Sequence, residues 1–525
     1  MALLDINVAL GRFAQPVGGS FDNADALQAE LKRLGIGEAL VYHALAAEGD
    51  IMMGNELLLE ALAGHDNLYH CWIMAPSYLG DLPDPETWVN TARERGVHAV
   101  RMVPRHSLYP LEDWCVGPLL RELEAAEIPL LLDYGIRQWP ENVIPWGNVK
   151  TLADQYPQLN IVILGVTVGD ARAVDGLLYS TENVSFEFSA FIPPDMFEHV
   201  AGAGFAESFL FGTGLPRRAP ECVVAQTLTA GIDRADWELM AGGNARRLLR
   251  IDPFESATPP LLIEATRSPV PVIDMHGHCG SWERTTTPVK SPAAFIQSMD
   301  RCGIDTFVVS SFAAIHGETR AGNHEAAEWV AEYPDRLYAY VVVNPNDPEG
   351  SLADLTRYLR PGSNFVGLKL HCYLHGAQLH DHGYAKCLAF ANENDLPILV
   401  HGGGQDDWDG ICLQYPNANF IMAHACLWNG VDREGPVLYE RVRTTPNLYV
   451  DICGSAAHRG SLRKLIDLVG ADKVLYGSDF PMFDFAWELG RVTLAEVSDE
   501  EKRLICGDNA RRIYKRLQTG LYSPP

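Results

Sequence analysis

Residues 270–278 read VPVIDMHGH, an apolar run that ends in two histidines separated by one residue. In an extended strand, side chains two positions apart point to the same face, so His276 and His278 emerge together. Two imidazoles on one face at a strand's end form half of a metal site. Taken alone, the pair also fits two polar residues in a loop, and the rest of the chain decides between these interpretations.

The chain is an internal duplication, because it matches itself at an offset of about 265 residues. A repeat of this length indicates two copies of a whole domain. The matching stretches are GNELLLEALAGHDNLYHCWIMAP from Gly54 with GNHEAAEWVAEYPDRLYAYVVVNP from Gly322, YPQLNIVILG from Tyr156 with YPNANFIMAH from Tyr415, LFGTGLP from Leu210 with LYGSDFP from Leu475, and NARRLL from Asn244 with NARRIY from Asn509.

Each copy contains eight short apolar runs, separated by segments long enough for a helix. Such runs alternating with helical patterns predict parallel strands covered by helices. Eight units in about 250 residues predict a (β/α)8 barrel, so the fold class is α/β with two tandem TIM barrels. A doubly wound open sheet is the alternative, but polar residues at many strand ends favour closure. The predicted strands lie near 3–8, 38–43, 68–75, 99–104, 129–134, 161–166, 184–189 and 209–214, and near 270–278, 306–311, 337–344, 365–371, 397–402, 420–425, 448–453 and 474–479.

The domain boundaries follow from the repeat. A chain of 525 residues exceeds the size at which one hydrophobic core stops growing. We expect the first barrel at residues 1–252 and the second at 270–525. The stretch 253–269 is rich in proline and has no clear period, and it is interpreted as a linker.

Composition narrows the possible partners. The formal net charge of −27 argues against a nucleic acid or an anionic membrane, which leaves a small-molecule substrate. The start, MALLDINVAL, has no signal-peptide pattern, and no run is long enough to span a bilayer. Eleven cysteines without CxxC pairs suit reduced thiols. We expect a cytoplasmic protein that could form a homo-oligomer.

Polar side chains close the predicted strands of the second copy. The carboxyl ends of barrel strands converge on one pocket, so these side chains should line it. Five histidines and two carboxylates there are hard to explain as core filling, because each buried polar group needs a partner. A divalent metal ion supplies that partner. The polar residues at the strand ends are these five histidines and two carboxylates together with one lysine: His276, His278, Lys369, His371, His401, His424, Asp451 and Asp479.

This pattern resembles the amidohydrolase superfamily, and within it the amidohydrolase-related group that includes aminocarboxymuconate-semialdehyde decarboxylase. The resemblance rests on DMHGH at strand 1, single histidines closing strands 5 and 6, and GSDFP at strand 8, and it covers about 270–516. It implies that His276, His278, His401 and Asp479 bind one divalent ion, with Zn²⁺ expected and Mn²⁺ as the alternative. It also implies that His424 is a catalytic residue close to the metal.

The ligand types indicate the chemistry. Neutral imidazoles and one carboxylate leave the ion able to lower the pKa of a bound water from about 15.7 towards 7. Asp479 is then the catalytic proton acceptor, and His424 polarises the substrate carbonyl. A strand-4 lysine bridges two metals in some members of the superfamily, but we favour a single ion here. The expected substrate contacts are Lys369, His371, Trp408, Asp451 and Arg459.

The first copy lacks the ligand types. The residues aligned with His276, His278, His401, His424 and Asp479 are, in that order, Asn7, Ala9, Asp133, Gly165 and Gly214. This set cannot hold a zinc ion, so we expect a metal-free barrel. Its simplest role is a structural scaffold. Arg101, Asp133 and Glu187 at its strand ends leave room for a small ligand.

Three functions remain open at this stage. The first is a metal-dependent hydrolase that attacks an amide, lactone or ester with an activated water. The second is a metal-dependent, non-oxidative decarboxylase of a small carboxylic acid. The third is a non-catalytic binding or scaffold protein. The complete set of metal ligands in the second copy argues against this third function.

Overall fold

The computed structural model describes residues 3–15, 17–134, 144–252, 260–283, 289–402, 408–426, 436–454 and 457–517. The chain divides into two compact units between Glu264 and Ala265, except that Pro193–Asp195 group with the second unit. Each unit contains an eight-stranded parallel sheet in which the strands pair in chain order. The predicted pair of tandem (β/α)8 barrels is confirmed.

The first barrel closes through backbone hydrogen bonds between its first strand and the chain around its last. The amide of Ile6 donates to the carbonyl of Phe211 at 3.0 Å, and that of Ala9 donates to Leu215 at 2.8 Å. Its strands are β1 (Leu3–Leu10), β2 (Ile36–His43), β3 (Leu68–Ile73), β4 (Val97–Met102), β5 (Leu130–Asp133), β6 (Ile161–Leu164), β7 (Val184–Glu187) and β8 (Phe209–Leu210). Its α-helices are Ala24–Arg33, Ala44–Glu48, Ile51–Ala61, Pro85–Glu94, Asp113–Ala126, Trp146–Gln155, Ala171–Leu178, Met196–Gly202, Pro220–Thr229, Arg234–Glu238 and Asn244–Leu249.

The second barrel closes in the same way. The amide of Met275 donates to Tyr476 at 3.2 Å, and that of His278 donates to Phe480 at 2.8 Å. Its strands are β9 (Val272–Cys279), β10 (Ile304–Ser311), β11 (Leu337–Val342), β12 (Phe365–His371), β13 (Pro397–His401), β14 (Asn419–Met422), β15 (Leu448–Asp451) and β16 (Val474–Leu475). Its α-helices are Pro292–Cys302, Phe312–Ile315, Thr319–Glu332, Pro348–Tyr358, Cys372–His375, Ala385–Glu393, Trp408–Gln414, Pro436–Thr444, Ser461–Val469, Phe485–Thr493, Asp499–Arg503 and Asn509–Ile513.

Alternation along the strands sets which side chains reach the interior of the second barrel. On β13, Leu399 belongs to an apolar cluster with members from all eight strands, which identifies it as the barrel interior. Its neighbours Ile398 and Val400 belong instead to the larger cluster that includes the helices. Because strand side chains alternate, His401 lies on the same face as Leu399 and points into the barrel.

A motif repeated in both copies maintains the fold. The side chain of Asn55 donates to the carbonyl of Ile73 at 2.9 Å and accepts from the same residue's amide at 3.0 Å. Asn323 makes the same two bonds to Val342, at 3.0 and 2.9 Å. Each asparagine therefore ties a covering helix to the third strand of its barrel. This explains why the repeat stays clear where the metal ligands differ.

The stretch predicted as a linker, 253–269, contains a helix over Pro260–Ala265, while residues 253–259 lie outside the described residues. Within the described ranges, no helix combines the length and the apolar character needed to cross a membrane.

Candidate metal centre

Three of the predicted ligands meet at one end of the second barrel. His276 and His278 end β9, and Asp479 follows β16. The Nε2 atom of His278 lies 2.9 Å from Oδ1 of Asp479, and Nε2 of His276 lies 3.6 Å from the same oxygen. All three side chains are buried, and their ligand atoms lie within 4.8 Å of one another. This spacing allows one ion to contact all three.

The hydrogen bonds around His276 show that the site fits a cation. Its Nδ1 lies 2.9 Å from Oδ2 of Asp451, and a carboxylate oxygen can only accept, so the proton is on Nδ1. The lone pair is therefore on Nε2, where it accepts from the ammonium of Lys369 at 2.8 Å. Burial lowers the pKa of Lys369 to about 8. The Nε2 atom of His276 therefore faces the positive charge of the Lys369 ammonium, as it would face a metal ion.

The protonation states also suit metal binding, which requires neutral imidazole and ionised carboxylate. Burial lowers the pKa of His276 and His401 well below the usual value, and lowers that of His371 to about 2. Burial acts to raise the pKa of Asp479, but the hydrogen bond to His278 and the electrostatic interactions with His276 and His424 outweigh it, and the pKa lies well below its usual range. We therefore expect neutral rings beside a carboxylate at neutral pH.

A histidine cluster adjoins these three residues. His424 Nδ1 lies 2.9 Å from the carbonyl of Cys453, so it carries the proton, and Nε2 lies 3.0 Å from Nδ1 of His401. The ring of His371 stacks on that of His401, with centroids 4.0 Å apart. With its Nδ1 donating to His424, His401 keeps the Nε2 lone pair that a metal ligand needs.

His401 is placed differently from the other predicted ligands. Among the described residues, two groups have ligand atoms close enough to share an ion, and His401 is in neither. Its participation in metal binding stays a prediction. The catalytic role of His424, which contacts His401, stays one as well.

Sequence reasoning missed Cys453. Its Sγ lies 2.9 Å from Nδ1 of His276 and 3.0 Å from Oδ1 of Asp451, and the residue is fully buried. With His276 and His424 it forms the second of the two close groups. The sequence feature that could have predicted Cys453 near the site is its position two residues after Asp451, which places both side chains on the same face of an extended chain. Counting cysteines for disulfide or CxxC spacing did not detect it.

Asp451 contacts other residues of the site, and its contact with substrate stays a prediction. Its side chain is fully buried. Oδ2 meets Nδ1 of His276, and Oδ1 accepts from the backbone amide of His424 at 2.7 Å. A carboxylate behind a ligand histidine fixes the tautomer and orientation of its ring. Asp451 is therefore placed to orient the ring of His276.

The other predicted substrate contacts have different surroundings. Trp408 is fully buried in the hydrophobic core, and its contact with substrate stays a prediction. Lys369 and His371 lie two residues apart on β12 and reach the site. Arg459 is half-buried in the loop after β15, and its role stays a prediction.

A family model described as Amidohydrolase matches residues 273–516, which are nearly the whole second barrel. The second barrel therefore matches the amidohydrolase family, a class of enzymes, as the sequence motifs indicated. A search of curated proteins found no match.

Solved structures with a similar fold each cover about half of this chain. The 2,6-dihydroxybenzoate decarboxylase from Rhizobium has 19% identity and a TM-score of 0.38, covering 47% of this chain and 98% of its own. A putative amidohydrolase from Staphylococcus aureus has 18% identity and a TM-score of 0.38, with 47% and 100% covered. The 5-carboxyvanillate decarboxylase from Novosphingobium aromaticivorans, in complex with manganese and a nitrobenzoic acid, has 18% identity and a TM-score of 0.37, with 49% and 86% covered.

Proposed function

We propose that the second barrel is a metal-dependent hydrolase that cleaves an amide, lactone or ester of a small molecule. The observation that carries the proposal is the convergence of His276, His278 and Asp479 at the carboxyl ends of barrel strands, with the lone pair of His276 directed inward. A divalent ion held there, with zinc expected and manganese as the alternative, would supply a Lewis acid and an activated water.

The chain's own residues would handle the protons. Asp479, ionised and next to the two histidines, accepts the proton of the attacking water and returns it to the leaving group. His424 lies behind His401, with its Nδ1 proton donated to a backbone carbonyl. That bond holds the His424 ring with its other nitrogen towards the site, where it accepts from Nδ1 of His401 and orients that ring.

Decarboxylation of a small carboxylic acid is the second candidate, and Lys369 favours it. Its ammonium is fully buried, 2.8 Å from His276 Nε2. A buried cation beside a metal site can hold a carboxylate, which hydrolysis of a neutral ester or amide does not require. The two candidates share the metal site and differ in the bond that breaks.

The test begins with the metal content of the purified full chain. The protein is then stripped with a chelator and reloaded with Zn²⁺ or Mn²⁺. Activity is measured on lactones, esters and amides, and on hydroxybenzoates with release of carbon dioxide as the readout. Hydrolysis requires incorporation of ¹⁸O from labelled water into the product. A substrate that loses carbon dioxide without consuming water would reject the hydrolase in favour of the decarboxylase.

Two variants place the activity in the second barrel. His278→Ala should lose metal and turnover, whereas Asn7→Ala, at the position in the first barrel that aligns with His276, should lose neither. His401→Ala tests whether that histidine is the fourth ligand. Protein without bound metal that gains no activity on reloading would favour the scaffold function instead.

A further inference from the structure

The first barrel has two arginines where the second has its metal site. Arg101 aligns with Lys369, and its Nη1 donates to Oδ1 of Asn7 at 2.9 Å. Its other terminal nitrogen pairs with Asp133, and its guanidinium lies over the ring of Tyr42, 3.8 Å from the centroid. Arg101 is thus neutralised by Asp133 within the protein.

The second carboxylate of this cluster is also occupied. Glu187 aligns with Asp451, and it accepts from the amide and the hydroxyl of Ser189 at 2.6 and 3.0 Å. The side chain of Asn7 donates to it at 3.3 Å. Burial raises the pKa of Glu187, and both of its oxygens already accept hydrogen bonds from these neighbours. Neither carboxylate is left to neutralise a further cation fully.

Arg218 is that further cation. A Cβ at Gly214, the position aligned with the ligand Asp479, would lie 2.8 Å from Cδ of Arg218. The side chain of Arg218 therefore runs across the space that the metal ligand's Cβ takes in the other barrel. Its charge interacts with Glu187 and Asp133, which places the guanidinium beside the strand-end cluster.

No acceptor in the described part of the chain hydrogen-bonds to the Arg218 guanidinium, although the side chain is half-buried. Arg217, the next residue, provides the contrast. It pairs with Oε1 of Glu48 at 3.1 Å, and it packs over the ring of Phe13. Because the side chain is only half-buried, the guanidinium stays accessible to solvent and can pair with an anion that enters at the strand ends.

We propose that the first barrel binds a small carboxylate at the carboxyl ends of its strands, held by Arg218. The planar fork of a guanidinium matches the two oxygens of a carboxylate. The strand ends of this fold are where ligands gather. The first barrel is then a ligand-binding module in which a guanidinium takes the place of the metal, whatever reaction the second barrel performs.

Isothermal titration of the full chain with acetate and with benzoate tests the proposal. Wild type is compared with Arg218→Gln and with the matched control Arg217→Gln, which removes the same charge one residue away. Arg218→Gln should weaken carboxylate binding by about tenfold or more, because a charge-assisted bidentate pair is lost. Arg217→Gln should leave the affinity within about twofold, since its partner is Glu48. Arg218→Lys keeps the charge and loses the fork, so its affinity should fall between the two.

Several results would overturn the proposal. One is that wild type and Arg218→Gln bind acetate and benzoate with equal affinity. Another is that no binding of acetate or benzoate is found that requires Arg218. Binding of inorganic phosphate with neither carboxylate bound would reject the ligand class. If Arg218→Gln does not fold, as judged by its circular dichroism, the comparison of Arg218→Lys with Arg217→Gln decides in its place.

Discussion

Asp479 of the second barrel and Gly214 of the first have the same left-handed backbone, with φ of 61° and 70°. They occupy matching positions in LYGSDFP and LFGTGLP. His424 and Gly165 form a second pair of this kind, with φ of 62° and 72°. This conformation costs a residue with a side chain about 1–2 kcal/mol, and glycine avoids most of the cost. The second barrel therefore retains strain at two positions that supply side chains to the candidate site.

Replacement of Asp479 by glycine and by alanine separates this strain from the loss of the carboxylate. Both variants lose the carboxylate and should lose metal. Only Asp479→Gly relieves the left-handed backbone, so in metal-free protein it should be more stable than Asp479→Ala by about 1 kcal/mol. Urea unfolding of the two variants measures the difference. Equal midpoints would show that the site relaxes and stores no strain.

Asp451 provides a test of ring positioning. In Asp451→Asn, an amide nitrogen would face Nδ1 of His276 if the amide oxygen keeps its bond from the amide of His424. Two donors then meet, so His276 must move its proton to Nε2 and lose the lone pair that binds metal. Metal affinity should fall by about 10- to 100-fold, measured by competition with a chelating dye.

Glu187→Gln is the matched control, because Glu187 holds the same position in the first barrel. It should leave metal affinity unchanged. Unchanged affinity in Asp451→Asn as well would show that the carboxylate does not orient His276.

The sequence was sufficient for the barrels and for part of the site. The period of the repeat and the apolar runs placed the sixteen strands found among the described residues, because each strand is a local pattern. The predicted barrel also implied that His276 and His278 lie close to Asp479, since the strand ends of a barrel converge. The sequence did not show that Asp451 and Trp408 are fully buried, because strand position does not tell whether a side chain opens to the pocket or packs behind it. That distinction depends on contacts between distant strands and loops.

Removal of the guanidinium of Arg101 should destabilise the first barrel strongly. The Arg101 and Asp133 side chains pair and are both buried, so Arg101→Met leaves the Asp133 carboxylate without its paired guanidinium. The expected loss is about 3–5 kcal/mol in the free energy of unfolding. Denaturant titration of the variant measures it.

The double variant Arg101→Met, Asp133→Leu removes both charges. It should recover much of the lost stability, because an apolar pair can replace a buried ion pair. If Arg101→Met alone has no effect on the unfolding free energy, the pair contributes nothing to the fold of this barrel.

Asp5 should make the stability of the first barrel depend on pH. Its carboxylate accepts from the amides of Asn7 and Thr213 at 2.9 and 3.0 Å, which ties the first strand to the end of the eighth. Burial outweighs these bonds and raises its pKa from 3.8 to about 7. The folded state thus favours the protonated acid. The stability that this provides is fully present below about pH 4 and is lost as the pH rises towards 7, at a rate of up to about 1.4 kcal/mol per pH unit.

Asp5→Asn tests this dependence, because the amide keeps the shape and the acceptor oxygen and cannot ionise. Urea unfolding at pH 5 and pH 8 should show wild type losing stability relative to the variant as the pH rises. Leu3, fully buried on the same strand, offers a non-ionisable control in Leu3→Ala, which should lower stability by the same amount at both values. If wild type and Asp5→Asn differ equally at pH 5 and pH 8, Asp5 has an ordinary pKa in the folded protein, and the bonds to Asn7 and Thr213 hold it as a charged group.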